Sequence, residues 1–188
     1  MLLPAVLAIL GVMLSPDRSS AQTIEDKAQV CAACHGANGI PQQPGVPVIW
    51  GQQQGYLYLQ LRDFKSGARK SEIMSPMAQM LERPEMLALA LYFSQKKWPD
   101  LQQPRASADV VKRALRPITS VGCATCHQSE YQGEGTQPRL AGQRKDYLQK
   151  SMLAFRNRTR GNNPGMTDLM LAISEDDIAA CAEYLAGR

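Results

Sequence analysis

Cys31, Cys34 and His35 spell CAACH, and Cys123, Cys126 and His127 spell CATCH. Two thiols three residues apart followed at once by an imidazole is the spacing of c-type haem attachment, in which both thiols form thioether bonds to the porphyrin and the histidine reaches iron as the proximal ligand. The two motifs use both histidines of the chain and four of its five cysteines. Other chemistries fit less well. A redox CxxC pair has no need of the adjacent histidine, and a zinc site drawn from four Cys and two His has too many ligands in the wrong grouping. Disulfides between the motifs would leave two small units short of apolar mass, which a buried porphyrin supplies.

Each motif lies 92 residues from its partner, and the same offset superimposes Met74 on Met166, Leu81 on Ile173 and Tyr92 on Tyr184. It also brings Met86, Leu89, Ala90 and Phe93 onto Ile178, Cys181, Ala182 and Leu185. Between these ends an offset of 91 aligns Pro47 with Pro138, Gly51 with Gly142, Gln52 with Gln143, Tyr56 with Tyr147 and Phe64 with Phe155. The chain is a tandem duplication.

With no third histidine, the register points to methionine as the sixth ligand. Met74 and Met166 each stand 39 residues after their proximal histidine. Their thioethers would be soft ligands that favour ferrous iron and raise the potential. Met77 and Met80 compete with Met74, and Met170 competes with Met166; any one of them taken alone reads as core filler.

The elements that must position these groups are helical, because no segment shows strand alternation over a useful length. Each copy reads as a short helix before the Cys pair, a polar Gly/Pro-rich stretch, and a helix from near Tyr56 or Tyr147 to about Ser66 or Asn157. A loop carrying the aligned Met and a final helix complete it. Pro84 falls in the first turn of the final helix of copy one; Ser174 with Asp177 reads as a capping box for that of copy two. Pro117 is expected to end that helix or bend the chain before Cys123. Gln95 to Pro104, with Trp98 between them, reads as the connection, and Cys181 on the final apolar stripe reads as a buried free thiol.

The chain of 188 residues has 21 Lys plus Arg and 17 Asp plus Glu, a formal net charge of +4. No Lys or Arg run exceeds two residues, so no stripe for nucleic acid is present. Residues 1–21 pair an apolar stretch with the small residues Ser19, Ser20 and Ala21 and read as a cleaved export signal. The expected organisation is 1–21 signal, 22–97 first unit, 98–106 linker and 107–188 second unit.

On these motifs the sequence resembles the two-domain, dihaem cytochrome c4 family over essentially all of its mature length. The double CxxCH carries the likeness, together with a proline before a Gly-Gln pair, PVIWGQ at Pro47 to Gln52 and PRLAGQ at Pro138 to Gln143. The resemblance implies an all-α pair of class I cytochrome c domains with two covalently attached haem c groups. Cys31, Cys34, Cys123 and Cys126 would be the attachment points, and His35, Met74, His127 and Met166 the iron ligands. It further implies that the carbonyls of Pro47 and Pro138 orient the imidazoles, and that Arg69 and Arg160 pair with a haem propionate or a nearby acid. Trp50 departs from the pattern, standing where copy two has Ala141.

The implied function is periplasmic electron transfer and no bond chemistry of the protein's own. Single electrons would pass from a quinol-oxidising complex or a dehydrogenase to a terminal oxidase or other acceptor. The alternative is a cytochrome subunit of a larger oxidoreductase complex. Redox proteins are the expected partners, nucleic acid is not, and peripheral association with the membrane is compatible with either role.

Overall fold

The computed structural model describes residues 23–188, so the expected export signal at 1–21 lies outside the described residues. Among these residues the chain is all-α, with one isolated bridge between Glu134 and Gln137. The first half holds α1 (Ile24–His35), α2 (Gln54–Ser66), α3 (Met74–Gln79) and α4 (Arg83–Ser94). The second holds α5 (Ala108–Ser120), α6 (Cys123–His127), α7 (Lys145–Arg156), α8 (Pro164–Leu171) and α9 (Glu175–Ala186). Among the described residues no helix is long and apolar enough to cross a membrane.

Local chemistry sets the boundaries. Thr23 and Asp26 form a reciprocal capping box at the start of α1, and Glu82 and Glu85 form another at α4, where Pro84 fits the first turn. Ser174 caps α9 by accepting from Asp177 N at 3.2 Å. The reciprocal half of the expected box is missing, because the Asp177 carboxylate is taken by Arg113 at 2.8 Å. Pro117 does not end α5, which runs three residues further. The break comes at Gly122, whose φ of 70° is left-handed and open to glycine at little cost. Its counterpart Val30 has a Cβ that disfavours that conformation, so α1 runs unbroken through its own CxxCH. The aligned methionines also differ from expectation: they begin short helices, α3 and α8, and do not sit in open loop.

In each half the final helix packs against the first and the second, α4 on α1 and α2, and α9 on α5 and α7. Ala28, Leu57, Leu89, Ala90 and Phe93 form the core of one half; Ala114, Ile118, Leu148, Ala182 and Leu185 form a matching core in the other. Leu89 is 1% exposed, and truncating such a side chain to alanine costs about 2–5 kcal/mol. Cys181 sits in this second core, its Sγ 3.7 Å from Ala114 O. Burial pushes its thiol up to about 12.

The halves meet through reciprocal contacts. Gln143 exchanges two hydrogen bonds with the backbone of Val48, both at 2.9 Å. Gln52 does the same with Arg139, accepting from its N–H at 2.7 Å and donating to its carbonyl at 3.0 Å. Val48 and Arg139 are equivalent at the offset of 91, so the contact is self-complementary, as across a two-fold axis. Trp98 fills the space between, with Arg139 over its ring at 4.7 Å. A side chain at Gly142 would begin 3.0 Å from the indole nitrogen.

Candidate haem-binding sites

In each half the cysteine pair and its histidine share one short stretch of helix, the last turn of α1 and the whole of α6. A separation of three places both thiols on one face, and all four are unpaired. Burial raises Cys31 and Cys123 above the ordinary thiol value.

The two imidazoles are held alike. His35 and His127 are 7% and 4% exposed. His35 Nδ1 lies 2.8 Å from Pro47 O, and His127 Nδ1 lies 2.9 Å from Pro138 O. A carbonyl only accepts, so the proton is on Nδ1 and the lone pair on Nε2. Burial pushes both rings below the ordinary histidine range, with the proline carbonyl opposing. His127 Nε2 is buried with no hydrogen-bond partner. A buried nitrogen lone pair left unmatched is costly in a folded protein unless something else meets it, and iron in a porphyrin fits. The residues present therefore suit the covalently attached haem that the CxxCH motif implies.

The prolines reach the histidines because the Gly-Gln segments are clamped. Gly51 N donates to Phe93 O at 2.8 Å, and Gly142 N donates to Leu185 O at 3.0 Å, tying each segment to the end of the final helix. At Gly36, φ is 88° and an added Cβ would lie 2.3 Å from Ile40 O, so the turn after His35 is closed to other residues. Trp50 covers Gly39, where a Cβ would meet the indole at 2.7 Å.

Met74 and Met166 are half-buried at the starts of their helices. The Met74 N–H donates to Ser71 Oγ and the Met166 N–H to Asn163 Oδ1, each at 3.1 Å. Ser71 and Asn163 are equivalent at the offset of 92 and do not figure in the sequence reading; Asn163 is the N-cap of α8, a signal that an Asn three before the methionine carries, whereas Ser71 lies before the Ile73 cap of α3. The competing methionines are placed otherwise. Met80 is 66% exposed, and Met170, 2% exposed, packs with Phe155, Ile173 and Ile178. Met77 remains half-buried on α3.

Arg69 and Arg160 pair with no acid among the described residues. Each crosses to the other half, Arg69 donating to the Tyr147 hydroxyl at 3.2 Å and Arg160 to that of Tyr56 at 3.3 Å.

Comparison with known proteins meets this geometry directly. Residues 118–188 match the Cytochrome c family. Cytochrome c4 from Thiocapsa roseopersicina is 36% identical over 184 residues, 92% of this chain and 95% of that one. The chain belongs to the cytochrome c4 family. The thiosulfate dehydrogenase electron acceptor of Stutzerimonas stutzeri is 38% identical over 170 residues, 85% of this chain and 79% of that protein. The cytochrome c4 structure from Acidithiobacillus ferrooxidans superimposes with a TM-score of 0.77 at 32% identity, covering 85% of this chain and 99% of that one. Cytochrome c4 proteins are dihaem class I cytochromes with duplicated domains, and they carry electrons without catalysing bond chemistry. The all-α duplicated fold and the electron-shuttling role of this chain follow from that membership.

Proposed function

We propose that the chain carries two haem c groups, one held by Cys31, Cys34, His35 and Met74, the other by Cys123, Cys126, His127 and Met166. Residues 22–97 and 107–188 would be the two units and 98–106 the linker. Residues 1–21 would direct the chain to the periplasm. The observation that carries the reading is the duplicated histidine geometry, a buried imidazole with Nδ1 committed to a proline carbonyl and Nε2 left for a metal, beside two unpaired thiols.

When bound, haem supplies an iron that alternates between ferric and ferrous. The chain's own residues set the terms of that exchange. Pro47 and Pro138 hold each imidazole in the tautomer that presents Nε2 and fix its ring plane. Ser71 and Asn163 pin the backbone of each methionine, so that its thioether is delivered from a fixed point. With a histidine and a methionine both committed to each haem, the chain would offer a substrate no place at the iron, which suits a carrier and not an oxidase.

A periplasmic dehydrogenase or a quinol-oxidising complex would be the electron donor, and a terminal oxidase or other redox protein the acceptor. The relative from Stutzerimonas stutzeri is named for accepting electrons from thiosulfate dehydrogenase. That supports a donor enzyme oxidising a reduced sulfur compound. Mass spectrometry of the intact chain with a pyridine haemochrome assay tests the haem assignment. The expected result is two covalent haems per chain, and one in the Cys123→Ala/Cys126→Ala variant. Fewer than two in the unmodified chain would overturn it.

A further inference from the structure

One space in each half is filled from opposite sides. On the Nδ1 side of each imidazole, the loop that follows the CxxCH motif meets the segment that starts at the proline whose carbonyl Nδ1 touches. In the second half the loop carries Tyr131 and the segment carries Ala141, each 6% exposed. In the first half the matching positions hold Gly39, at the offset of 92, and Trp50, at the offset of 91. The ring therefore comes from the loop in one copy and from the segment in the other.

The surroundings of the two rings correspond. Each loop makes the same turn, with Gly39 N donating to Gly36 O and Tyr131 N to Gln128 O, both at 3.0 Å. Gly39 and Tyr131 share a left-handed backbone, with φ of 80° and 55°. Trp50 packs against the core of Leu57, Leu89 and Phe93, and Tyr131 belongs to that of Leu148 and Leu185. A tyrosine of the final helix and a cation after it complete the arrangement. Lys96 lies 3.9 Å from the centre of the Tyr92 ring and 6.0 Å from that of Trp50. Its counterpart Arg188 lies 5.5 Å over Tyr184, which meets Tyr131 edge to face at 6.1 Å. What differs is the tie between loop and segment. Tyr131 O accepts from Leu140 N at 2.8 Å and from Ala141 N at 3.1 Å, and among the described residues Gly39 O receives no matching backbone bond. There the indole itself lies on the loop, so close that a Cβ added to Gly39 would stand 2.7 Å from it.

We propose that Trp50 and Tyr131 are positioning residues of equivalent role, each wedging the loop after its histidine against the proline segment and so holding the proline carbonyl on Nδ1. Glycine with tryptophan in one copy, and tyrosine with alanine in the other, close the gap with one large ring apiece, as a close-packed interior requires. The far end of each segment is already fixed, because Gly51 and Gly142 are tied to the final helix. The ring fixes the near end and keeps water from the hydrogen bond between imidazole and carbonyl, which is strongest in a dry setting. A firm bond at Nδ1 makes the imidazole a better donor through Nε2. The sharing of one space stands on the packing alone; its effect on iron rests on the haem reading above.

Thermal unfolding of the holoprotein tests the shared space. Gly39→Tyr sets a second ring against Trp50 and should lower the midpoint, and Trp50→Ala should lower it by opening a cavity. Gly39→Tyr with Trp50→Ala copies the pairing of the second half into the first, at a backbone strain that Tyr131 already bears, and should recover most of either loss. Losses that simply add in the double variant would overturn the proposal. Proton NMR of the ferrous holoprotein tests the positioning. Trp50→Ala should speed solvent exchange of the His35 Nδ1 proton by about tenfold and leave that of His127 unaltered, and Tyr131→Ala should do the reverse. Optical redox titration should show one potential alone rising in each variant, since a looser bond at Nδ1 makes a weaker donor to iron. The double variant should return both readings toward those of the unmodified protein. Lower stability with both imidazole protons and both potentials unmoved would reduce the rings to core filler and overturn the proposal; Trp50→Leu gives the same reading where the alanine variant does not fold. Fewer than two covalent haems in the unmodified chain would instead count against the haem assignment, and the assay above detects that separately.

Discussion

His127 shows how much a single side chain can commit a structure to one chemistry, since one ring nitrogen is spent on Pro138 and the other is buried without a partner. Met74 and Met166, the proposed partner ligands, can be tested one at a time. Met74→Ala and Met166→Ala should each abolish the sulfur-to-iron absorption of one haem only and lower that haem's potential by on the order of 0.1 V. Loss of half the band in each variant checks the assignment; an unchanged band in either points to Met77 or another donor. Cys181 gives a contrasting thiol. Its raised value means that the folded state keeps the proton where the unfolded state loses it, so this thiol lowers stability as pH rises from about 9 toward about 12. Cys181→Ala should flatten the alkaline limb of stability against pH, measured by denaturant unfolding, and the native thiol should resist alkylation.

The helices show where local sequence was enough and where it was overruled. The double CxxCH, the helices that begin within two residues of Tyr56 and Tyr147, and the stripe of Leu89, Ala90 and Phe93 are patterns within one turn or one face, so they could be read directly. The box at Ser174 failed by half because Arg113, 64 residues away, competes for the Asp177 carboxylate. Pro117 sits in the last turn of α5, where proline removes one hydrogen bond without stopping the helix, and the left-handed Gly122 makes the break. The methionines were placed in register but not in a helix, since α3 and α8 are too short for periodicity to reveal. The Asn163 cap of α8 is testable. Asn163→Ala should destabilise the second half by about 1 kcal/mol in thermal unfolding and weaken the sulfur-to-iron band of its haem, while Asn163→Ser should restore both.

At the scale of the whole molecule, the halves are joined by contacts between residues some 78 to 104 positions apart, which no local pattern could announce. Duplication nonetheless leaves a trace, because every contact made by one copy tends to recur in the other, as Gln52 and Gln143 do. Truncating both, Gln52→Ala with Gln143→Ala, leaves backbone groups of Val48 and Arg139 unmatched at about 1–3 kcal/mol per group. Calorimetry of this variant should resolve two unfolding transitions where the unmodified protein shows one. Acid should loosen the same seam. The Arg144 guanidinium, with help from Gly45 N across the interface, holds Asp146 down to about 2. The stability this carboxylate contributes is therefore complete above its unfolded value and disappears as pH falls toward about 2. An optical redox titration of the purified holoprotein bears most directly on what the molecule is for. Two high-potential one-electron steps, with the sulfur-to-iron band intact at both haems in the ferric state, are the predicted result; a single low-potential step, or an iron that binds cyanide readily at rest, would contradict it.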